Sequence, residues 1–405
     1  MSQPSVIPAT DAAAGDLSSF HRPVQELSTC LAQPSPLFVG HGVQEALIDQ
    51  LHRQAFDKLF VISEPLVHQL YGVALLERLN AEFPCESLLV ASGDQCKTFQ
   101  GLETLLETLI ALGASKRSLL IAFGGGAVGN LVGLAASLLF RGIAYVEIPT
   151  TMTGQTDSVL SNKQAINGRQ GKNLFGHYHA PLFIWVDSAY LLSEPLQSRR
   201  SGIVEGIKNG FIADPAFLEH LATVLEPSHT YTPVTLHALV LQLIQSKLAI
   251  IKQDPSERQY GIVLEYGHTF GHGLEFLLQG RMIHGEAVGY GMRIAARLAA
   301  RLGMITPSLV DLHDHLIQDR LGFAAPWPAE ISAPALMLAM ATDNKKKGRE
   351  LRYVLLEAPG RCANPDGDWM VAVDPDLVLE VVAAFIAAHP GRDTAETGPS
   401  PLVAR

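Results

Sequence analysis

Ser118-Leu119-Leu120-Ile121-Ala122-Phe123-Gly124-Gly125-Gly126-Ala127-Val128-Gly129-Asn130 runs from an apolar segment through a glycine cluster into a helical pattern that continues to Leu139. An apolar run without alternation predicts a strand covered on both faces, as parallel sheets require. Glycines at 124, 126 and 129 then have the spacing of turns whose backbone amides, at a helix start, receive a pyrophosphate. A tight strand-to-helix turn needs glycine for steric reasons as well, so the spacing alone leaves a dinucleotide and a plain turn as two readings.

Upstream of this turn the same alternation repeats. Lys58-Leu59-Phe60-Val61-Ile62-Ser63 and Leu88-Leu89-Val90 read as strands, and helical patterns cover Val43 to Gln54, Leu66 to Phe83 and Leu102 to Leu112. Strands separated by helices imply a mostly parallel sheet of the Rossmann-like, α/β kind. Because the glycine turn follows a late strand, an acid holding the ribose is sought upstream, and Glu64 and Asp94 are the candidates; either also reads as an ordinary solvated charge. Downstream, the strand Ala144-Tyr145-Val146-Glu147-Ile148 ends at Pro149. From Thr150 to Asn167 the chain is dense in hydroxyls and amides, with Asp157 and Lys163, and Gly171-Lys172-Asn173 follows. Burying so many polar groups demands partners, so this stretch reads as the wall of a site.

After Phe183-Ile184-Trp185-Val186-Asp187 the character changes. From Glu194 onward the patterns are helical, as in Val234 to Lys252, Gly285 to Leu302 and Asp376 to His389, and strand signals nearly vanish. The expected organisation is a mobile leader over residues 1–35, an α/β domain over 36–192, an all-α domain over 193–390 and a mobile tail over 391–405. His268, His272 and His284 lie in the helical half, where imidazoles on an inner wall could gather round a divalent metal; hydrogen-bonded core histidines are the other reading. Glu205 and Lys208 share a helix face and, by themselves, read as a surface ion pair.

Composition sets bounds on partners. A chain of 405 residues with formal charge −10 argues against a nucleic-acid partner, while leaving room for a local basic pocket for a phosphorylated metabolite. Cys30, Cys85, Cys96 and Cys362 are too scattered for a thiolate zinc site or a disulfide framework, so reduced thiols and a cytoplasmic setting are expected. No apolar run reads as long enough for a membrane span, and the start lacks the pattern of an export signal.

Taken together, Gly124–Asn130, Arg141-Gly142-Ile143, Pro149-Thr150-Thr151, Asp157–Asn167, Gly171–Leu174, Glu205–Asn209, Glu265–His272 and His284–Ala287 resemble, in order, the motifs of the sugar phosphate cyclases related to 3-dehydroquinate synthase. The similarity covers roughly residues 36 to 360. It implies a dehydroquinate synthase-like fold, an NAD cofactor, one divalent metal ion with zinc expected and cobalt as the alternative, a small sugar phosphate as substrate, and a homodimer. It implies metal ligation by Glu205, His268 and His284, so His272 passes to the substrate. Glu64, Asp94, Lys97, Gly124, Gly125, Gly126, Gly129, Asn130, Thr150, Thr151, Asp157 and Lys172 then line the cofactor. Arg141, Asn173, Lys208, Lys247, His272 and Lys345 line the substrate, with Arg141 reaching into a neighbouring subunit, and Lys163 and Glu265 are the catalytic candidates for proton transfer.

Two departures narrow the substrate. Dehydroquinate synthases carry an arginine and an asparagine facing the substrate carboxylate where this chain has Gly261 and Glu265. A carboxylate there would be left unpaired and repelled, at roughly several kcal/mol. The resemblance therefore points to a branch whose substrate lacks that group. The expectation is conversion of D-glucose 6-phosphate to 2-deoxy-scyllo-inosose and phosphate, for a 2-deoxystreptamine aminoglycoside, by transient oxidation, elimination, re-reduction and intramolecular aldol closure. The alternatives are a 3-dehydroquinate synthase, a sedoheptulose 7-phosphate cyclase, or a metal-dependent polyol dehydrogenase.

Overall fold

The computed structural model describes residues 21–389 apart from 30, 32, 170, 229–230, 256–258, 280, 324–325 and 342–350. Lys345, the tail and most of the expected leader lie outside the described residues.

The seven-stranded sheet is built from β1 (Arg22–Ser28), β2 (Pro36–His41), β3 (Leu59–Ser63), β4 (Cys85–Leu89), β5 (Leu119–Gly124), β6 (Ala144–Pro149) and a strand at Phe183–Asp187. An antiparallel hairpin of β7 (Lys163–Gly168) and β8 (Gly171–Tyr178) stands apart from it, which makes Phe183–Asp187 β9. The sheet order is β1-β2-β9-β6-β5-β3-β4, parallel throughout except for β1 at the edge. β1 corrects the expectation that residues 1–35 are a leader, since it pairs with β2 from Arg22↔His41 to Ser28↔Pro36. Its residues are mostly exposed, so the strand carries no apolar run to read in the sequence.

All six residues of β5 are buried. Leu120 and Ala122 pack on one face with Phe60, Ile62 and Val128. Leu119, Ile121 and Phe123 pack on the other with Leu59, Val61, Leu47 and Leu79. A strand alternates its side chains, so two apolar faces need an unbroken apolar sequence. The chain runs outward from β3 to β4, then returns to the other side of β3 for β5. That reversal opens a crevice at the carboxyl ends of β3 and β5, the usual place for a ligand in open α/β sheets. Glu64 follows β3 there, and Gly124–Gly126 follow β5 into helix α1 (Gly126–Leu138).

The second half is helical: α2 (Leu196–Ala213), α3 (Pro233–Ile251), α4 (His268–Leu278) and α5 (His284–Arg301) share one core with Leu37 and Val39 of β2 and Ile184 and Val186 of β9. Short ladders also occur here, Arg352–Tyr353 with Val371–Ala372 and Leu356–Ala358 with Arg361–Cys362. Segments of two or three residues leave no periodic signal. Helix α3 is long and apolar enough to cross a membrane by length and composition, with a mean hydropathy of 1.6, contrary to the reading that no run approaches a span. Here it is a core helix, with Leu236, Leu239, Val240, Leu243 and Ile244 buried.

Candidate active site

Glu205, His268 and His284 come from three different helices, and one ligand atom of each lies within 4.8 Å of the other two. Close helix approach makes this possible. Gly285, next to His284, lies so near α2 that a Cβ would stand 2.4 Å from the Cα of Ser201, and its amide donates to Ser201 Oγ at 2.8 Å. Helices α4 and α5 meet at Gly267 and Gly291, where a Cβ on Gly291 would come within 1.9 Å of the Gly267 carbonyl oxygen. Gly267 also takes φ of 80°, a left-handed conformation open to glycine, and so starts α4 with His268 directed inward.

Glu205 is almost completely buried, and so is Lys208, which donates to its Oε2. The pair is therefore interior rather than the surface bridge that its spacing suggests. The other oxygen, Oε1, accepts no hydrogen bond from the described residues and faces His284 Nε2 at 3.3 Å and His268 Nε2 at 3.6 Å. Burial works to raise the Glu205 carboxyl, but Lys208, His268 and His284 hold it well below the usual carboxylate range. His268 is pushed down to about 3, by burial first and by Lys208 second. For His284 burial also works downward, yet the Glu205 and Glu275 carboxylates beside it raise it to about 10.

These surroundings fit a cation. A buried carboxylate oxygen without a hydrogen bond points between two imidazole nitrogens, and the site draws a positive charge onto His284; a divalent ion would replace that proton. The remaining ring nitrogens are oriented from behind. His268 Nδ1 faces the Tyr266 carbonyl at 3.2 Å, and His284 Nδ1 faces Glu275 Oε2 at 3.1 Å, which directs each Nε2 toward the ion's place. His272 lies one turn beyond His268 with ring centroids 5.4 Å apart, and it is not part of the ligand group.

Across from this centre, Gly125 caps α1 with extended backbone and no side-chain hydrogen bond, which leaves the first helix amides to a ligand. A Cβ on Gly126 would meet Ser158 Oγ at 2.9 Å. The hydroxyls of Ser158 and Thr150 are buried and have no hydrogen-bond partner among the described residues, so the turn is lined by polar atoms that a pyrophosphate or ribose would satisfy. Glu64 Oε2 accepts from Gly93 N at 3.3 Å beside Asp94. Behind the turn, Lys97 is buried and donates to Asn130 at 3.1 Å and to Asn173 at 2.5 Å, with burial lowering its pKa.

Other expected site residues form further groups. Lys247 pairs with Asp157 at 2.6 Å, and Lys172 lies between Asp94 at 3.0 Å and Glu275 at 2.9 Å. Glu265, three residues before His268 in the chain, acts on it through its charge and works to raise its pKa. Lys163 opens β7 opposite Tyr178. Gly124, Gly129 and Thr151 hold the turn and its return: Thr150 N donates to Gly124 O, and Thr151 caps the following short helix. Arg141 is exposed at φ 71° and makes no hydrogen bond or ion pair with the described residues. Two acids escaped the sequence reading. Glu275 lies inside the histidine motif, and Glu147 is buried beneath α1; a lone charge in the apolar run Tyr145–Ile148 was a signal for the latter.

Residues 87–201 match the 3-dehydroquinate synthase N-terminal family and residues 202–346 the 3-dehydroquinate synthase C-terminal family. The chain belongs to the 3-dehydroquinate synthase family. More particularly, it is 37% identical to a 2-deoxy-scyllo-inosose synthase of Streptomyces kanamyceticus over 366 residues, 89% of this chain and 93% of the relative. A crystal structure of 2-deoxy-scyllo-inosose synthase complexed with carbaglucose-6-phosphate, NAD+ and Co2+ superposes with a TM-score of 0.83 at 31% identity, covering 89% of this chain and 99% of the other. The 2-epi-5-epi-valiolone synthase of Streptomyces hygroscopicus, with NAD+ and Zn2+ bound, shares the fold at a TM-score of 0.75 and 22% identity, over 88% of this chain and 97% of the other.

Proposed function

We propose that the chain converts D-glucose 6-phosphate to 2-deoxy-scyllo-inosose and phosphate; the enzymes it is similar to are named for that product, and one of them is complexed with carbaglucose-6-phosphate. The observation that carries this reading is at positions 261 and 265. Gly261 is buried, with its amide donated to Asp254 Oδ2 at 2.9 Å, and the charge of Glu265 acts on His268. A glycine and an acid at this wall suit a neutral hydroxylated carbon and oppose a carboxylate.

When bound, NAD+ supplies a hydride acceptor that is restored within the cycle, and the divalent ion supplies Lewis acidity. Glu205, His268 and His284 would hold the ion, with Lys208 keeping Glu205 ionised. The amides at Gly125–Gly126, with Asp94, Lys97 and Asn130 around them, would hold the dinucleotide. Lys247, His272, Asn173 and Lys345 would grip the sugar phosphate, joined by Arg141 from a second copy in a homodimer. Glu265 and Lys163 would move protons at the carbon next to the oxidised position and at the ring oxygen. The product fits the biosynthesis of a 2-deoxystreptamine aminoglycoside.

Incubation with D-glucose 6-phosphate, NAD+ and Zn2+ or Co2+, followed by NMR of the product, tests the reading. The expected result is 2-deoxy-scyllo-inosose, stoichiometric phosphate and no net NADH. Absence of phosphate release overturns it. Release from a seven-carbon sugar phosphate alone would move the chain to another branch of the family, and NADH accumulating with a polyol would make it a dehydrogenase.

A further inference from the structure

Beyond its contact with His284, Glu275 takes no part in the reading above, yet its side chain is only 6% exposed and both of its oxygens are engaged. Oε2 faces Nδ1 of His284 at 3.1 Å, and Oε1 accepts from Lys172 Nζ at 2.9 Å. Lys172 belongs to the β7–β8 hairpin and also reaches Asp94 Oδ2 at 3.0 Å, on the turn beside the dinucleotide crevice. A carboxylate this buried is held only where its partners are fixed, so its two contacts are geometrically tied to each other.

We infer that Glu275 is a positioning residue: it fixes the orientation of His284 for the metal and, through Lys172, makes that orientation depend on where the hairpin sits. The inference rests on the proposed metal site. Accepting the Nδ1 proton of His284 leaves Nε2 with its lone pair toward Glu205, and the ammonium of Lys172 sets which way the carboxylate plane turns. Removing either end loosens the ligand without touching a ligand atom. Supporting groups of this kind usually carry about 10–100-fold in metal affinity.

The test measures Zn2+ affinity of the full chain by chelator competition and the visible absorption of the Co2+ form, for wild type, Glu275→Gln and Lys172→Met. Expected are a loss of about 10–100-fold for Glu275→Gln with an altered Co2+ band, and a loss of about threefold or more for Lys172→Met. A Glu275→Gln affinity within about twofold of wild type, on the same scale, overturns the positioning role. An unchanged Lys172→Met overturns the link to the hairpin. Should Glu275→Gln fail to fold, Lys172→Met, whose side chain is 48% exposed, still decides. Failure of wild type to bind either ion overturns the metal reading itself and is distinguished by that control.

Discussion

Glu205 and Glu147 are both glutamates with almost no exposed surface, at 2% and 5%, and their surroundings shift their carboxyls in opposite directions. Glu205, in the metal centre, lies against Lys208 and two imidazoles and is held well below the usual carboxylate range despite its burial. Glu147, on the central strand β6 beneath the glycine helix, meets among the described residues only the Tyr145 hydroxyl at 3.1 Å and the Gln164 amide at 3.2 Å; burial outweighs both and pushes it up to about 7. Burial alone disfavours a carboxylate, and a neighbouring cation reverses the outcome. One end of the molecule thus keeps a buried charge for an ion, while the other holds a buried acid that titrates near neutral pH.

The largest effect should come from removing the charge at the metal end. Glu205→Gln leaves Lys208 a buried cation without its carboxylate, and a loss of about 3–5 kcal/mol is expected in chemical denaturation, together with loss of bound Zn2+. Metal retained at wild-type stability would erase the contrast between the two acids.

At the other end the effect depends on pH. Because the folded-state pKa of Glu147 is raised from 4.5 to about 7, its contribution is most favourable below pH 4.5 and is lost as pH rises through 7. The full span amounts to about 3 kcal/mol. Glu147→Gln should remove that part of the slope, gaining stability relative to wild type at pH 8 compared with pH 5. Parallel stability profiles for the two proteins would show that Glu147 keeps its ordinary pKa.

A smaller change separates the two ends directly. In Gly126→Ala the new Cβ meets Ser158 Oγ at 2.9 Å and crowds the helix start. Overpacking of this size costs about 1–3 kcal/mol, so NAD+ affinity should fall about tenfold in calorimetry. Metal content should not change, and a parallel loss of Zn2+ would mean that the two ends do not act separately.

These regions also differ in how much the sequence discloses. The dinucleotide end lies in one contiguous segment, where an apolar strand, a glycine turn and a helix start are all local properties of neighbouring residues. The metal end is assembled from α2, α4 and α5, and a Glu205–Lys208 pair has the same spacing whether it faces water or a core. Only the resemblance singled out Glu205; its burial depends on Gly285 lying against Ser201, a contact between distant positions. Glu275 was missed for a related reason, since its partner Lys172 stands 103 positions away and His284 reaches it only across the turn between α4 and α5. β1 was missed because an exposed edge strand has no need of apolar alternation.

The crossing of α4 and α5 at Gly267 and Gly291 makes the metal centre dependent on two residues with no functional group at all. Backbone rests on backbone there, so the bite available to the ion is set by a seam that neither charge nor hydrogen-bonding capacity would single out. A side chain at either position would part the two helices and so pull His268 and His284 away from each other, whatever their own chemistry.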